Sequence, residues 1–94
     1  MNSYETIMLL SSKVDDDARK EVYENIKNYL NENGKIIKTE ELGKRKMAYE
    51  VRGESEAYYY VIEFDSNSEC VYELERQYRI TDEVIKFMTI KKDD

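Results

Sequence analysis

The apolar residues of this chain follow two rhythms, and the order in which those rhythms succeed one another restricts the fold more than any other feature. Tyr4 to Leu10 alternates at period two, with Tyr4, Thr6, Met8 and Leu10 on one side and Glu5, Ile7 and Leu9 on the other. That is the spacing of a strand, and since both sets are largely apolar, both of its faces are expected to be covered. Asp15 to Asn33 changes to helical spacing through Ala18, Val22, Ile26, Tyr29 and Leu30, opens on carboxylates and is followed by Gly34, which together predict a helix. Lys35 to Val51 returns to strand-forming residues, with Gly43 read as a bulge or kink. Gly53 to Glu56 is a polar turn, and Ala57 to Asp65 completes a hairpin with Tyr58, Tyr60, Ile62 and Phe64 assigned to the core face. Ser66 and Glu69 stand at capping-box spacing ahead of Val71, Leu74 and Tyr78, so a second helix is predicted over 67–79. Val84 to Ile90 closes the chain as a strand.

The order strand, helix, strand, strand, helix, strand over 94 residues is that of a single α+β domain of ferredoxin-like βαββαβ topology. Right-handed crossovers then give a four-stranded antiparallel sheet of order 4-1-3-2 with both helices on one face. Two consequences bear on function. The end of the second strand, the hairpin turn and the start of the fourth strand meet at one end of the sheet, so Lys44, Arg45, Lys46, Arg52, Arg79 and Lys86 are expected to share a rim, with Lys91 and Lys92 at the other end. The helix-free face carries Ile7, Leu9, Tyr59 and Val61, an apolar set expected to meet a protein partner, because large apolar patches are uncommon on isolated proteins.

Composition removes most catalytic chemistry. The chain has no His and one Cys, so no Ser-His-Asp or Cys-His pair, no multi-Cys zinc site and no intrachain disulfide. With no Pro and three Gly it has no Pro-rich linker and no glycine-rich phosphate loop. Its 38% charged residues leave no apolar run approaching the 20 or so residues of a membrane span. The amino terminus lacks the basic and apolar stretches of a secretory signal, so a cytoplasmic location is expected.

The net charge of -6 is unevenly spread. Residues 35–52 carry six cations and three carboxylates, residues 79–92 four cations and two, and the rest of the chain is net -11. Two basic islands on an acidic body suit phosphate contacts at a restricted site. Cationic side chains on an edge strand are also a common guard against aggregation.

At Glu40-Glu41-Leu42-Gly43-Lys44-Arg45-Lys46-Met47-Ala48-Tyr49-Glu50-Val51 the chain resembles the bacterial small-subunit (30S) ribosomal protein six family, which carries Glu-Leu-Gly, basic-rich positions and Leu-Ala-Tyr-Pro-Ile at this place in a ferredoxin-like domain of this size. Further matches are Tyr4-Glu5, Ala57-Tyr58-Tyr59, and Arg79-Ile80-Thr81-Asp82-Glu83-Val84 ahead of Met88, so the likeness runs nearly the whole length. The resemblance implies a structural, non-catalytic component of the small ribosomal subunit. It implies binding to the central domain of small-subunit ribosomal RNA as a pair with small-subunit protein eighteen, without a cofactor. Glu50 stands where that family usually has Pro, Ile85 replaces one of two adjacent basic residues, and Asn2-Ser3 replaces an often basic start. These changes remove positive charge or rigidity and lean the reading towards RNA binding in company.

Other constellations carry less. Tyr58, Tyr59 and Tyr60 suggest base stacking as in RNA recognition motifs, but Glu56 stands where those motifs want a cation. Asp15, Asp16 and Asp17 need no metal, since a helix start favours carboxylates by itself. Cys70 reads as a small buried hydrophobe. The alternative function is a ferredoxin-like regulatory module that homo-oligomerises through its sheet and binds a small metabolite. An acyl-phosphate hydrolase would need a phosphate-cradling loop after the first strand, and Leu10-Ser11-Ser12-Lys13-Val14 has no Gly there.

Overall fold

A computed structural model describes residues 1–92. Its elements run β1 (Asn2–Ser11), α1 (Asp16–Asn33), β2 (Lys35–Val51), β3 (Glu54–Ser66), α2 (Ser68–Ile80) and β4 (Val84–Lys91). The sheet order is β2-β3-β1-β4 with every neighbouring pair antiparallel, which is the expected ferredoxin-like arrangement. Both helices pack on one face. Tyr23, Ile26 and Leu30 of α1 and Cys70, Leu74 and Tyr78 of α2 meet Tyr4, Met8, Leu10, Tyr60, Ile62, Phe64 and Val84 in the main core. Each fully buried Leu, Ile or Phe there contributes about 1.5–3 kcal/mol. The Tyr78 hydroxyl, carried into this core, is satisfied by Thr6 Oγ1 at 3.0 Å.

The helix starts follow from side-chain capping. Asp15 Oδ1 accepts from the Ala18 N–H at 2.8 Å, and Asn67 Oδ1 accepts from the Cys70 N–H at 2.9 Å, each satisfying a donor that the first helical turn leaves free. The second cap is therefore Asn67 and not the expected Ser66. Ser66 is fully buried, pairs with Asn2 in the sheet and donates to the Asn67 carbonyl. Gly34 also has a different role from a left-handed helix cap: its φ is -170°, and a Cβ on it would lie 2.3 Å from the Asp65 carbonyl oxygen. Close approach of β2 to β3 requires a residue without a side chain there.

Gly43 is a bulge, as expected, with φ of +77° and a register shift between Glu41 and Gly43. The hairpin turn lies earlier than the sequence suggests. Arg52 and Gly53 both have positive φ, 52° and 77°, and Val51 pairs with Glu54, the two-residue connection that matches strand twist. Glu54 opens β3 and is itself 7% exposed. Its carboxylate accepts from Ser11 Oγ at 2.8 Å, Ser12 N at 2.9 Å and Ser12 Oγ at 3.0 Å, which ties the base of the hairpin to the turn after β1.

Between Lys46, paired with Glu56, and Val51, paired with Glu54, residues 47–50 stand opposite Ser55 alone. This wide bulge carries the hairpin end over the helix-free face. Met47 there joins Leu9, Ala57 and Ile85 in a second small core, with Ile7, Val51 and Tyr59 packed against it.

Candidate nucleic-acid and partner interface

The register assigns each cation to a face. Arg45 pairs with Ala57 and Lys86 with Leu9, so both belong to the helix-free face. Lys44 pairs with Tyr58 and Lys46 with Glu56, one residue out of phase, so these two belong to the helix side of the β2 edge. The basic triplet thus straddles the edge strand, and all three residues are exposed. Among the described residues none of the three takes part in an ion pair, and the Arg45 Nε donates only to the Leu42 carbonyl, at 3.1 Å.

Three further expected cations lie at the same end but in different settings. Lys86 donates to the Tyr49 hydroxyl. Arg52 Nη1 donates to the Asp82 carbonyl at 3.3 Å, joining the hairpin turn to the approach to β4. Arg79 projects from the last turn of α2, 3.8 Å from a Glu75 carboxylate and 5.7 Å over the Phe87 ring. Since Phe87 pairs with Met8, Arg79 borders the helix layer, not the open face. Lys91 and Lys92 are at the far end, as expected, with Lys92 Nζ bound to Glu63 at 2.8 Å.

Of the four residues expected to meet a partner, Ile7, Tyr59 and Val61 are half-buried on the helix-free face, while Leu9 is not available. Leu9 is 6% exposed, packed with Met47 and Ile85 in the second core; the hairpin end, a feature of tertiary folding, covers it. Val61, Ile7 and Met88 form one cross-strand row over β3, β1 and β4. Met88 is 54% and Ile90 46% exposed, and neither was singled out from the sequence, although the period of β4 puts both on this face. The row towards the far end is Lys38, Glu63, Glu5 and Ile90. The apolar centre thus has Arg45 and Lys86 at one end and, at the other, Glu5 and a Glu63 that is already bound by Lys92 and flanked by Lys38.

The tyrosines divide by face. Tyr60 is buried against Tyr23, ring centres 4.6 Å apart, and Tyr58 lies under the Arg19 guanidinium at 3.6 Å, so neither offers a free face for a base. Tyr49 is the exposed aromatic of the rim, 63% accessible; the Ala48-Tyr49 of the twelve-residue segment was the signal for it. The described residues hold no cluster of three or more His, Cys, Asp or Glu placed for a metal ion, and Cys70 is buried. No described helix is long and apolar enough to cross a membrane.

The family described as "Ribosomal protein S6" matches residues 3–91. The chain is similar to small ribosomal subunit protein bS6 of Caldanaerobacter subterraneus, 43% identical over the full length of both chains. It is also similar to that of a Nitratiruptor species, 45% identical over 97% of this chain and 72% of that one. Its fold is similar to that of 30S ribosomal protein S6 from Thermotoga maritima, with a TM-score of 0.92 and 34% identity over 97% of this chain and 87% of that one. The chain belongs to the ribosomal protein S6 family of the bacterial small ribosomal subunit.

Proposed function

We propose that the chain is a non-catalytic scaffold that binds the central domain of small-subunit ribosomal RNA together with small-subunit protein eighteen. Its family is one of bacterial small-subunit proteins and so of the cytoplasm. The observation that carries the reading is the separation of two surfaces. Lys44, Arg45 and Lys46, without an ion pair among the described residues, line the β2 edge, with Lys86 and Arg79 near the start of β4, and the row Val61, Ile7 and Met88 crosses the helix-free face beside Tyr59.

In this reading the cations hold phosphates. Each neutralised phosphate releases counterions, which makes the contact sensitive to salt and poor in sequence information. An acidic body limits how strongly that rim alone attracts RNA, so the partner seated on the apolar row supplies the remaining affinity and the register. The chemistry is positioning, with no bond made or broken.

The test is RNA affinity with and without the partner. A central-domain RNA fragment titrated with the chain alone is expected to bind weakly, and at least tenfold more tightly when protein eighteen is present. Ile7→Glu is expected to remove the enhancement while circular dichroism stays unchanged. Strong, salt-insensitive binding by the chain alone overturns the reading.

A further inference from the structure

A groove lies on the helix layer, opposite the helix-free face and adjoining Arg79 through its neighbour Ile80. Two depressions of about 330 and 360 Å³ share Val22, Asn25, Ile80 and Thr81, so they form one trough between α1 and the connection from α2 to β4. Its apolar floor is made by half-buried Val22, buried Ile26 and Ile80, which is 64% exposed at the end of α2. Its border on the rim side is acidic: Glu21, Asp82 and Glu83 line it, and among the described residues none of the three has an ion-pair partner. The cations nearby are committed elsewhere. Arg76, which lines the trough at the end away from the three carboxylates, is bound to Glu73 at 2.7 Å, Arg79 lies 3.8 Å from Glu75, and Arg52 reaches the Asp82 backbone carbonyl, not its carboxylate.

We infer that this trough docks an extended, lysine- or arginine-bearing segment of a neighbouring protein, which seats an aliphatic side chain on Ile80 and Val22 and its cations on Glu21, Asp82 and Glu83. Charge complementarity selects the occupant. Phosphate is repelled by these three carboxylates, and in a second copy of this chain Lys44 to Lys46, cations without an ion pair among the described residues, belong to a strand already paired with β3 and not to a free extended segment. A basic segment gains from both halves of the trough: apolar burial at the floor and charge-assisted contacts at the border. The trough opens at the same end of the molecule as the Lys44 to Lys46 edge. Basic protein arms that follow RNA therefore pass close to it when that edge is on RNA.

The experiment uses intact small ribosomal subunits containing the chain with Ile80→p-benzoylphenylalanine, and Tyr72→p-benzoylphenylalanine as the control on the exposed side of α2. Irradiation is expected to cross-link position 80 to a protein segment rich in Lys or Arg, identified by mass spectrometry, with little from position 72. Combining Glu21→Gln, Asp82→Asn and Glu83→Gln is expected to lower that yield at least tenfold without loss of the chain from the subunit. Cross-linking to RNA, to a segment without cations or to a second copy overturns the inference. So does the absence of any cross-link, or a yield unmoved by the three substitutions.

Discussion

The Lys86 ammonium donates to the Tyr49 hydroxyl at 2.5 Å and stands 4.6 Å from the centre of its ring, which joins the bulged end of the β2–β3 hairpin to β4 across two intervening strands. The contact is exposed, so its worth to folding is under about 1 kcal/mol. Its effect is on placement: a cation and an aromatic ring are held together at the rim. Lys86→Ala is expected to change urea stability by less than that amount, yet to weaken binding of the chain with protein eighteen to the RNA fragment. Tyr49→Phe removes the hydroxyl that Lys86 contacts but keeps the aromatic ring at the rim, and is expected to retain most of that binding. A loss with Tyr49→Phe as large as with Lys86→Ala would show that the hydroxyl matters more than the ring.

Glu54 anchors the other side of the hairpin. Burial by itself raises the pKa of its carboxyl, but the hydrogen bonds from Ser11 and Ser12 and the charge of Lys13 outweigh it and hold the value below the ordinary one. A carboxyl with a lowered folded pKa stabilises the protein fully above its unfolded pKa, near 4.5, and that contribution is lost as pH falls through the folded value. Glu54→Ala is expected to cost about 2 kcal/mol at pH 7, the scale of losing hydrogen bonds to a buried charged group. The wild-type advantage over the variant is expected to shrink as pH is lowered from 5 towards 3. Urea melts at a series of pH values check it, and a constant difference would contradict the assignment.

The second core predicts a different kind of loss. Met47 is 8% exposed and packs with Leu9 and Ile85, so Met47→Ala is expected to cost about 2 kcal/mol, the low end for a buried Met because the site lies near the surface. Hydrogen exchange should then speed up around residues 47–53 and 85 while Leu30 and Leu74 of the main core stay protected. Uniform acceleration would mean that the hairpin end folds as one unit with the main core.

Two glycines separate backbone strain from crowding. At Gly43, with φ of +77° and nothing within 4 Å of an added Cβ, Gly43→Ala meets only the left-handed penalty of about 1–2 kcal/mol. At Gly34 the added carbon meets the Asp65 carbonyl, and Gly34→Ala is expected to cost more, about 3 kcal/mol, since the strands must move apart. Equal melting shifts for the two variants would refute this distinction.

The strand order and the end of the sheet that gathers cations were legible because they depend on periodicity and crossover handedness, which Tyr58 to Phe64 and Val22 to Leu30 display openly. What covers Leu9 was not. Met47-Ala48-Tyr49-Glu50 reads as ordinary strand, and only the mismatch of pairing between Lys46 and Val51 turns it over the face. Asn67 was hidden by a neighbour with the same capping chemistry, since Ser66 and Asn67 are both good helix starts and burial decides between them. The end of the sheet at which Arg79 lies was legible but its layer was not, because residues on either side of a helix-to-strand turn share an end without sharing a face.

The proposed function requires phosphate contact at the β2 edge. The direct measurement is the salt dependence of RNA binding by the chain with protein eighteen, for wild type and for Lys44→Ala, Arg45→Ala and Lys46→Ala together. The slope of log K against log salt is expected to fall by roughly 2, given about 0.7–0.9 per phosphate contact, while Lys91→Ala leaves it unchanged. An unaltered slope in the triple variant, or an equal fall for Lys91→Ala, would contradict the account.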